Sequence, residues 1–216
     1  MRLHEAAPEA IIDTHNTSAH SEPFAVAVND NVSTQQISQL FTNRLVVIDQ
    51  QLGTLIEKTD SISPVVTIEF GGLMDPNADK LAYESLISFV SRNHLFKTEP
   101  EPLHIMKHPL RLEIEESSEI HYSSSVHNDA DLTLINTIDQ LNFQAVHTGT
   151  KIGWLGKTGL GGLSAVNAKG DNLFHEFFHE VSGFLTIKQQ LTIFMATTDP
   201  YIARQDCLLY FTPTTV

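Results

Sequence analysis

The spacing of apolar positions changes near residue 100. Before that point Ile37, Leu40, Phe41, Leu45, Ile48, Leu52, Leu55 and Ile56 recur at intervals of three and four, the pattern of one buried helix face. Ser33, followed three residues later by Gln36, resembles a capping box at its start. A long amphipathic helix is therefore predicted here, bent near Gly53. A second helix is predicted to open after Asp75-Pro76, with Ala82, Tyr83, Leu86, Ile87 and Val90 on its apolar face. Residues 1–30 show neither period and are expected to form a flexible leader.

Beyond residue 100 the runs become short and β-rich. They are LRLEIEE (110–116), EIHY (119–122), DLTLINT (131–137), FQAVH (143–147), KIGWL (151–155), LSAVN (163–167), FHEFFHEV (174–181), QLTIFMAT (190–197) and CLLYF (207–211). Gly, Asn and Asp punctuate them, as in β-sandwiches and jelly rolls. The expected fold is mainly β with N-terminal helices, a double-stranded β-helix (jelly roll). Residues 31–216 would form a single domain, with a helical part at 31–100 and a β core at 101–216.

Composition narrows the function. With 13 Lys and Arg against 26 Asp and Glu, the formal charge is −13. Such a surface repels phosphate backbones, so nucleic acid is not an expected partner. Cys207 is the only cysteine, which excludes an intramolecular disulfide and suits a reducing compartment. No apolar run reaches the roughly 20 residues of a membrane helix, and the N-terminus has no signal-peptide core. Cytoplasm is the expected location and no membrane partner is expected. Of the eleven histidines, His4, His15 and His20 fall in the polar leader, where any metal binding would be adventitious.

The chemistry-bearing residues are sought in the β half. His127 and Asp129 are two apart, and on an extended strand residues i and i+2 share a face. His179 is a candidate third ligand from a distant strand. Two histidines and one carboxylate leave positions open on an iron(II) ion for oxygen chemistry.

The stretch from about Leu110 to Pro200 resembles the Fe(II)/2-oxoglutarate-dependent dioxygenases, in particular the isopenicillin N synthase-like branch. The resemblance rests on His127-Asn128-Asp129 before Leu132-Thr133-Leu134-Ile135, on Phe143-Gln144-Ala145-Val146, on Trp154, on Val166-Asn167 through Gly170-Asp171, and on His179-Glu180-Val181. It implies an oxidoreductase that holds Fe(II) through His127, Asp129 and His179 and uses dioxygen to oxidise a small molecule. It also implies 2-oxoglutarate as cosubstrate, with Lys188 and Gln190 at the places of the family's usual Arg and Ser. A lysine cannot reproduce the two-pronged guanidinium contact.

Two other readings use the same residues. His175-Glu176-Phe177-Phe178-His179 matches the His-Glu-x-x-His motif of zinc metallopeptidases, although the segment is rich in aromatic residues that favour a strand. A non-catalytic jelly-roll binding protein is the third.

Overall fold

The fold was described from a computed structural model, which describes residues 8–49, 55–58, 63–96 and 102–214. The predicted bend at Gly53 lies outside them. The chain divides into two compact units, one of Met1–Thr17 and Glu22–His108, the other of Ser18–Ser21 and Pro109–Val216.

The first unit is a mixed α/β sheet. Its strands are β1 (Ile11–Thr17), β2 (Phe24–Ala27), β3 (Arg44–Val47), β4 (Val65–Gly72) and β5 (His104–Lys107), in the order β1-β4-β2-β3-β5. Pairing is parallel for β1/β4, β2/β3 and β3/β5, and antiparallel for β2/β4. Helix α1 (Val32–Ser38) is capped by Asn31, whose side chain accepts from the Thr34 N–H at 2.9 Å. Helix α2 (Pro76–Val90) starts where predicted, with Asp75 as cap and Pro76 in the first turn. One face of the sheet buries Ala25, Leu45, Val66, Ile68 and Phe70 against Ile37, Phe41 and Ala78.

Two sequence expectations are corrected here. Residues 11–17 and 24–27, assigned to a leader, are strands. The long helix is interrupted, because Arg44–Val47 is a strand whose Leu45 and Val46 are at most 1 % exposed. A run buried on both faces satisfies helical spacing and strand packing alike.

The second unit holds two five-stranded sheets. The first contains β7 (Ile120–Ser123), β8 (Leu132–Ile135), β10 (Lys151–Leu155), β12 (Phe178–Val181) and β13 (Phe184–Ile187), ordered β12-β13-β10-β8-β7. The second contains β6 (Leu110–Ile114), β9 (Ala145–Val146), β11 (Leu163–Val166), β14 (Leu191–Phe194) and β15 (Leu209–Pro213), ordered β11-β6-β15-β14-β9. Both contribute to one core that includes Leu112, Leu134, Leu185, Ile193 and Phe211, all fully buried. Two short helices complete the unit, α3 (Phe174–Phe177) and α4 (Pro200–Gln205).

Ser18–Ser21 belongs to this unit through side-chain contacts. Ser18 Oγ donates to Thr197 Oγ1 at 3.1 Å, and buried Asn142 donates from Nδ2 to the His20 carbonyl at 2.7 Å. Asn142 Oδ1 accepts from the Ala196 N–H at 2.9 Å, so one buried amide has both its donor and acceptor occupied.

Short strands after residue 110 are thus as numerous as the sequence suggests, but a jelly roll is not what they build. The described chain is mixed α/β with three five-stranded sheets. The first carries parallel pairs, and β7/β8 in the second unit is parallel as well. Among the described residues no helix is long and apolar enough to cross a membrane.

Candidate active site

Four polar side chains lie on one face of the first unit's sheet, where β1 and β4 run side by side. The register places Asp13 beside Thr67 and His15 beside Glu69. Because strand side chains alternate, these four point away from the core built by Val66, Ile68 and Phe70. His15 Nε2 lies 3.1 Å from Asp13 Oδ1, and Thr67 Oγ1 donates to Asp13 Oδ2 at 3.4 Å.

Glu69 is the unusual member. It sits in the run VVTIEFGG, on a strand flanked by β1 on one side and β2 on the other. Its neighbour across β2 is Phe24, which is fully buried. Glu69 is only 9 % exposed, and its Oε2 has no hydrogen-bond partner among the described residues. Burial pushes its carboxyl group above the usual glutamate range; His15 opposes that shift and Asp13 adds to it. A carboxyl group left buried without a full set of partners is costly, and such groups concentrate at functional sites.

The strand ends beside Glu69 are irregular. Pairing slips by one residue after His15, so that Thr17 faces Gly72. The extra residue on β4 is Gly71, at φ +125°, a conformation that glycine adopts without a Cβ penalty. Asn16 Nδ2 donates to the Gly71 carbonyl at 3.3 Å, closing the slip. Bulges of this kind re-aim side chains next to active sites.

The residues singled out in the β half are arranged differently from the expectation. His127 and Asp129 are exposed and lie in the turn between β7 and β8 instead of on one strand face. The His127 ring stacks on His121, with centroids 3.8 Å apart and planes 5° from parallel, and His121 Nε2 is 3.3 Å from Glu119 Oε1. His179 is on β12, at the opposite edge of the sheet from β7. Four strand spacings separate those edges, about 19 Å, far beyond the reach of one ion. Among the described residues no group of three His, Cys, Asp or Glu side chains is placed to hold a metal ion.

Lys188 and Gln190 lie in the bend after β13. Lys188 Nζ donates to the His175 carbonyl at 2.7 Å, and Gln190 Oε1 is 3.1 Å from His147 Nδ1. His175 and His179 of the His-Glu-x-x-His run straddle the junction of α3 and β12, so they never share a helix face.

No family model and no curated protein sequence matches the chain. Solved structures do. A succinylglutamate desuccinylase/aspartoacylase from Rhodobacter sphaeroides superposes with a TM-score of 0.55 at 11 % identity, over 99 % of this chain and 61 % of that one. Murine aminoacylase 3 matches with a TM-score of 0.44 at 11 % identity, over 94 % and 61 %. A succinylglutamate desuccinylase from Vibrio parahaemolyticus gives 0.48 at 12 %, over 86 % and 48 %. The chain thus spans about three-fifths or less of the length of these structures. The first of them defines the fold as that of a succinylglutamate desuccinylase/aspartoacylase.

That fold overturns the dioxygenase resemblance and what followed from it. The jelly roll, the oxidoreductase assignment, Fe(II), 2-oxoglutarate and dioxygen all fall with it. So do the zinc metallopeptidase built on 175–179 and the jelly-roll binding protein.

His15 and Glu69 were missed for separable reasons. His15 falls in a stretch whose polar sequence predicts a leader. Glu69 carried a usable signal, a single carboxylate inside an eight-residue strand that is otherwise apolar apart from Thr67, since glutamate is almost never buried without a partner or a purpose.

Proposed function

We propose that the chain is a hydrolase of small N-acyl compounds, with Glu69 moving the proton in the reaction and His15 beside it. The observation that carries this reading is the buried Glu69 carboxyl group, raised in pKa and short of one hydrogen-bond partner, next to an imidazole at the end of two parallel strands. Ligands of open α/β sheets bind at the carboxyl ends of strands, and His15 and Glu69 are near those ends. The fold likeness supports the class, because the matched R. sphaeroides structure bears the name of a desuccinylase and aspartoacylase.

A carboxyl group poised above its usual range is suited to general acid–base work near neutral pH. In its ionised form Glu69 takes a proton from an attacking water. The C–N bond of the tetrahedral adduct then breaks, and the same carboxyl returns the proton to the departing amine, leaving a carboxylic acid and an amine as products. His15, held by Asp13, stabilises the carboxylate form of Glu69. Asn16 and Gly71 keep the strand ends in the register that sets His15 against Glu69.

Zinc is the cofactor that hydrolases of this fold imply. A catalytic zinc site takes three protein donors, and the described residues do not assemble three. They do not by themselves make that site. The single cysteine, buried at 3 % exposure, suits a reducing compartment such as the cytoplasm.

The test is release of primary amine from a panel of N-acyl amino acids, including N-acetylaspartate and N-succinylglutamate. Activity should appear with the wild-type chain and fall by about 10²–10⁴-fold in Glu69→Gln, the range for loss of a general acid–base group. Full activity in Glu69→Gln, with the fold intact, rejects the assignment.

A further inference from the structure

Glu69 stands on β4 between His15 of β1 and Phe24 of β2, and one short connection, Ser18 to Pro23, joins those two strands. It leaves β1 at Thr17, opposite Gly72, and enters β2 at Phe24, opposite Glu69. The Thr17 carbonyl accepts from the Leu73 N–H at 2.9 Å where the connection begins. The strands it joins are two spacings apart, about 10 Å, whereas the connection can extend to about 20 Å. Its length therefore does not fix its path. Hydrogen bonds do, and they are made by Ser18–Ser21, the part that belongs to the second unit.

We infer that Asn142 is a positioning residue: by holding the His20 carbonyl it sets the connection, and through it the placement of His15 and Phe24 on either side of Glu69. Asn142 is 4 % exposed. Its Nδ2 donates to the His20 carbonyl at 2.7 Å while its Oδ1 accepts from the Ala196 N–H at 2.9 Å. An aspartate lacks the donor and an alanine lacks both groups, so this pair of contacts calls for an amide. Two longer contacts share the task. The His20 N–H donates to Asp139 Oδ2 at 3.3 Å, and Ser18 Oγ donates to Thr197 Oγ1 at 3.1 Å. The backbone that carries Asn142 is itself held. Phe143 and Met195, next to Asn142 and Ala196, have left-handed conformations at φ 61° and 51°, and non-glycine residues stay there only where their surroundings over-determine the backbone.

The consequence is a link from the second unit to the acid–base pair of the first. A connection released from Asn142 has slack, and the ends of β1 and β2 are then free to part from β4 at Glu69 and admit water. Burial is what raises the Glu69 carboxyl group, so hydration should lower it toward the usual glutamate range. The bearing on turnover rests on the hydrolase reading above; the bearing on Glu69 itself does not.

The experiment follows the Glu69 carboxyl carbon by NMR titration of the full chain carrying isotope-labelled glutamate, the signal being assigned by its loss in Glu69→Gln. Asn142→Ala should lower the Glu69 midpoint by about one unit, a tenfold change in proton affinity. Ser18→Ala removes one oxygen from the connection and should lower it less; it carries the test if Asn142→Ala does not fold. The control is Asn172→Ala. That amide oxygen also accepts from two backbone N–H groups of the second unit, those of Ala165 and Phe174, but it lies off the connection and its loss should leave the midpoint in place. On whichever N-acyl amino acid the wild-type chain hydrolyses, Asn142→Ala should lower kcat more than it raises KM. The proposal is overturned by an unchanged Glu69 midpoint in folded Asn142→Ala or, failing that variant, in Ser18→Ala. An equal shift in Asn172→Ala also overturns it, since general loosening would then be the cause. A midpoint that moves as expected in a chain that hydrolyses none of the N-acyl panel supports the positioning role and rejects the hydrolase reading alone.

Discussion

At the scale of single residues, Glu69 sets two properties against each other. Its carboxyl group binds a proton more readily in the folded chain than in the unfolded one, because burial raises its pKa. Where the native state holds the extra proton, stability increases as pH falls. The cost of the ionised form is fully present above the raised pKa, declines as pH drops through it, and vanishes below the ordinary glutamate range. Glu69→Gln removes an ionisable group that the fold accommodates poorly, so the variant should be more stable than wild type near neutral pH. The difference should shrink toward acid pH, as read by urea denaturation across that range. Greater stability with lost activity is the mark of a site residue; a variant less stable at neutral pH would mean that ionised Glu69 supports the fold. None of this was visible from the His-x-Asp spacing that drew attention to His127 and Asp129. Two residues apart share a face only if the segment is a strand, and 127–129 is a turn. The same i, i+2 relation does hold for Asp13 and His15, which stand on a strand.

At the scale of elements, legibility followed from how one-sided the burial is. KIGWL forms β10 with the bounds its pattern indicates, and α2 opens on Asp75-Pro76 because cap and proline act locally. Arg44–Val47 and Ile11–Thr17 were illegible for opposite reasons. The first is apolar enough to fit any period, and the second is polar throughout Asp13–Thr17. FLTI, which forms β13, lay hidden between two stronger runs. The caps and close approaches make measurable claims. Asp75 accepts from the Asn77 N–H at 2.9 Å, and Asp75→Ala should cost about 1 kcal/mol. At Gly156 an added Cβ would lie 2.0 Å from the Ala130 carbonyl oxygen. The neighbour there is backbone, which cannot rotate away. Gly156→Ala should therefore cost about 1–3 kcal/mol, as overpacking does, and a urea midpoint equal to wild type would show that the turn before β8 is free to shift.

At the scale of the whole molecule, charge balance is the property that composition reports without any fold. Thirteen cationic side chains face twenty-six anionic ones, so net repulsion opposes compaction. Local pairs act the other way. Arg111 bonds Asp206 at 2.7 Å and Lys107 reaches Asp30 at 2.6 Å, with the Lys107 contact holding the Asp30 carboxyl below its usual range. Salt weakens both effects, and magnitude decides which matters. An exposed pair contributes about 0–1 kcal/mol and acts over a few ångströms. The excess charge acts over the whole surface, and screening shortens its reach from about 30 Å at 0.01 M to about 8 Å at physiological ionic strength. The melting temperature should accordingly rise over that interval in sodium chloride. The measurement belongs at low protein concentration, where self-repulsion within one chain is read. A melting temperature that falls with salt there would mean that ion pairs such as Arg111–Asp206 outweigh the net charge.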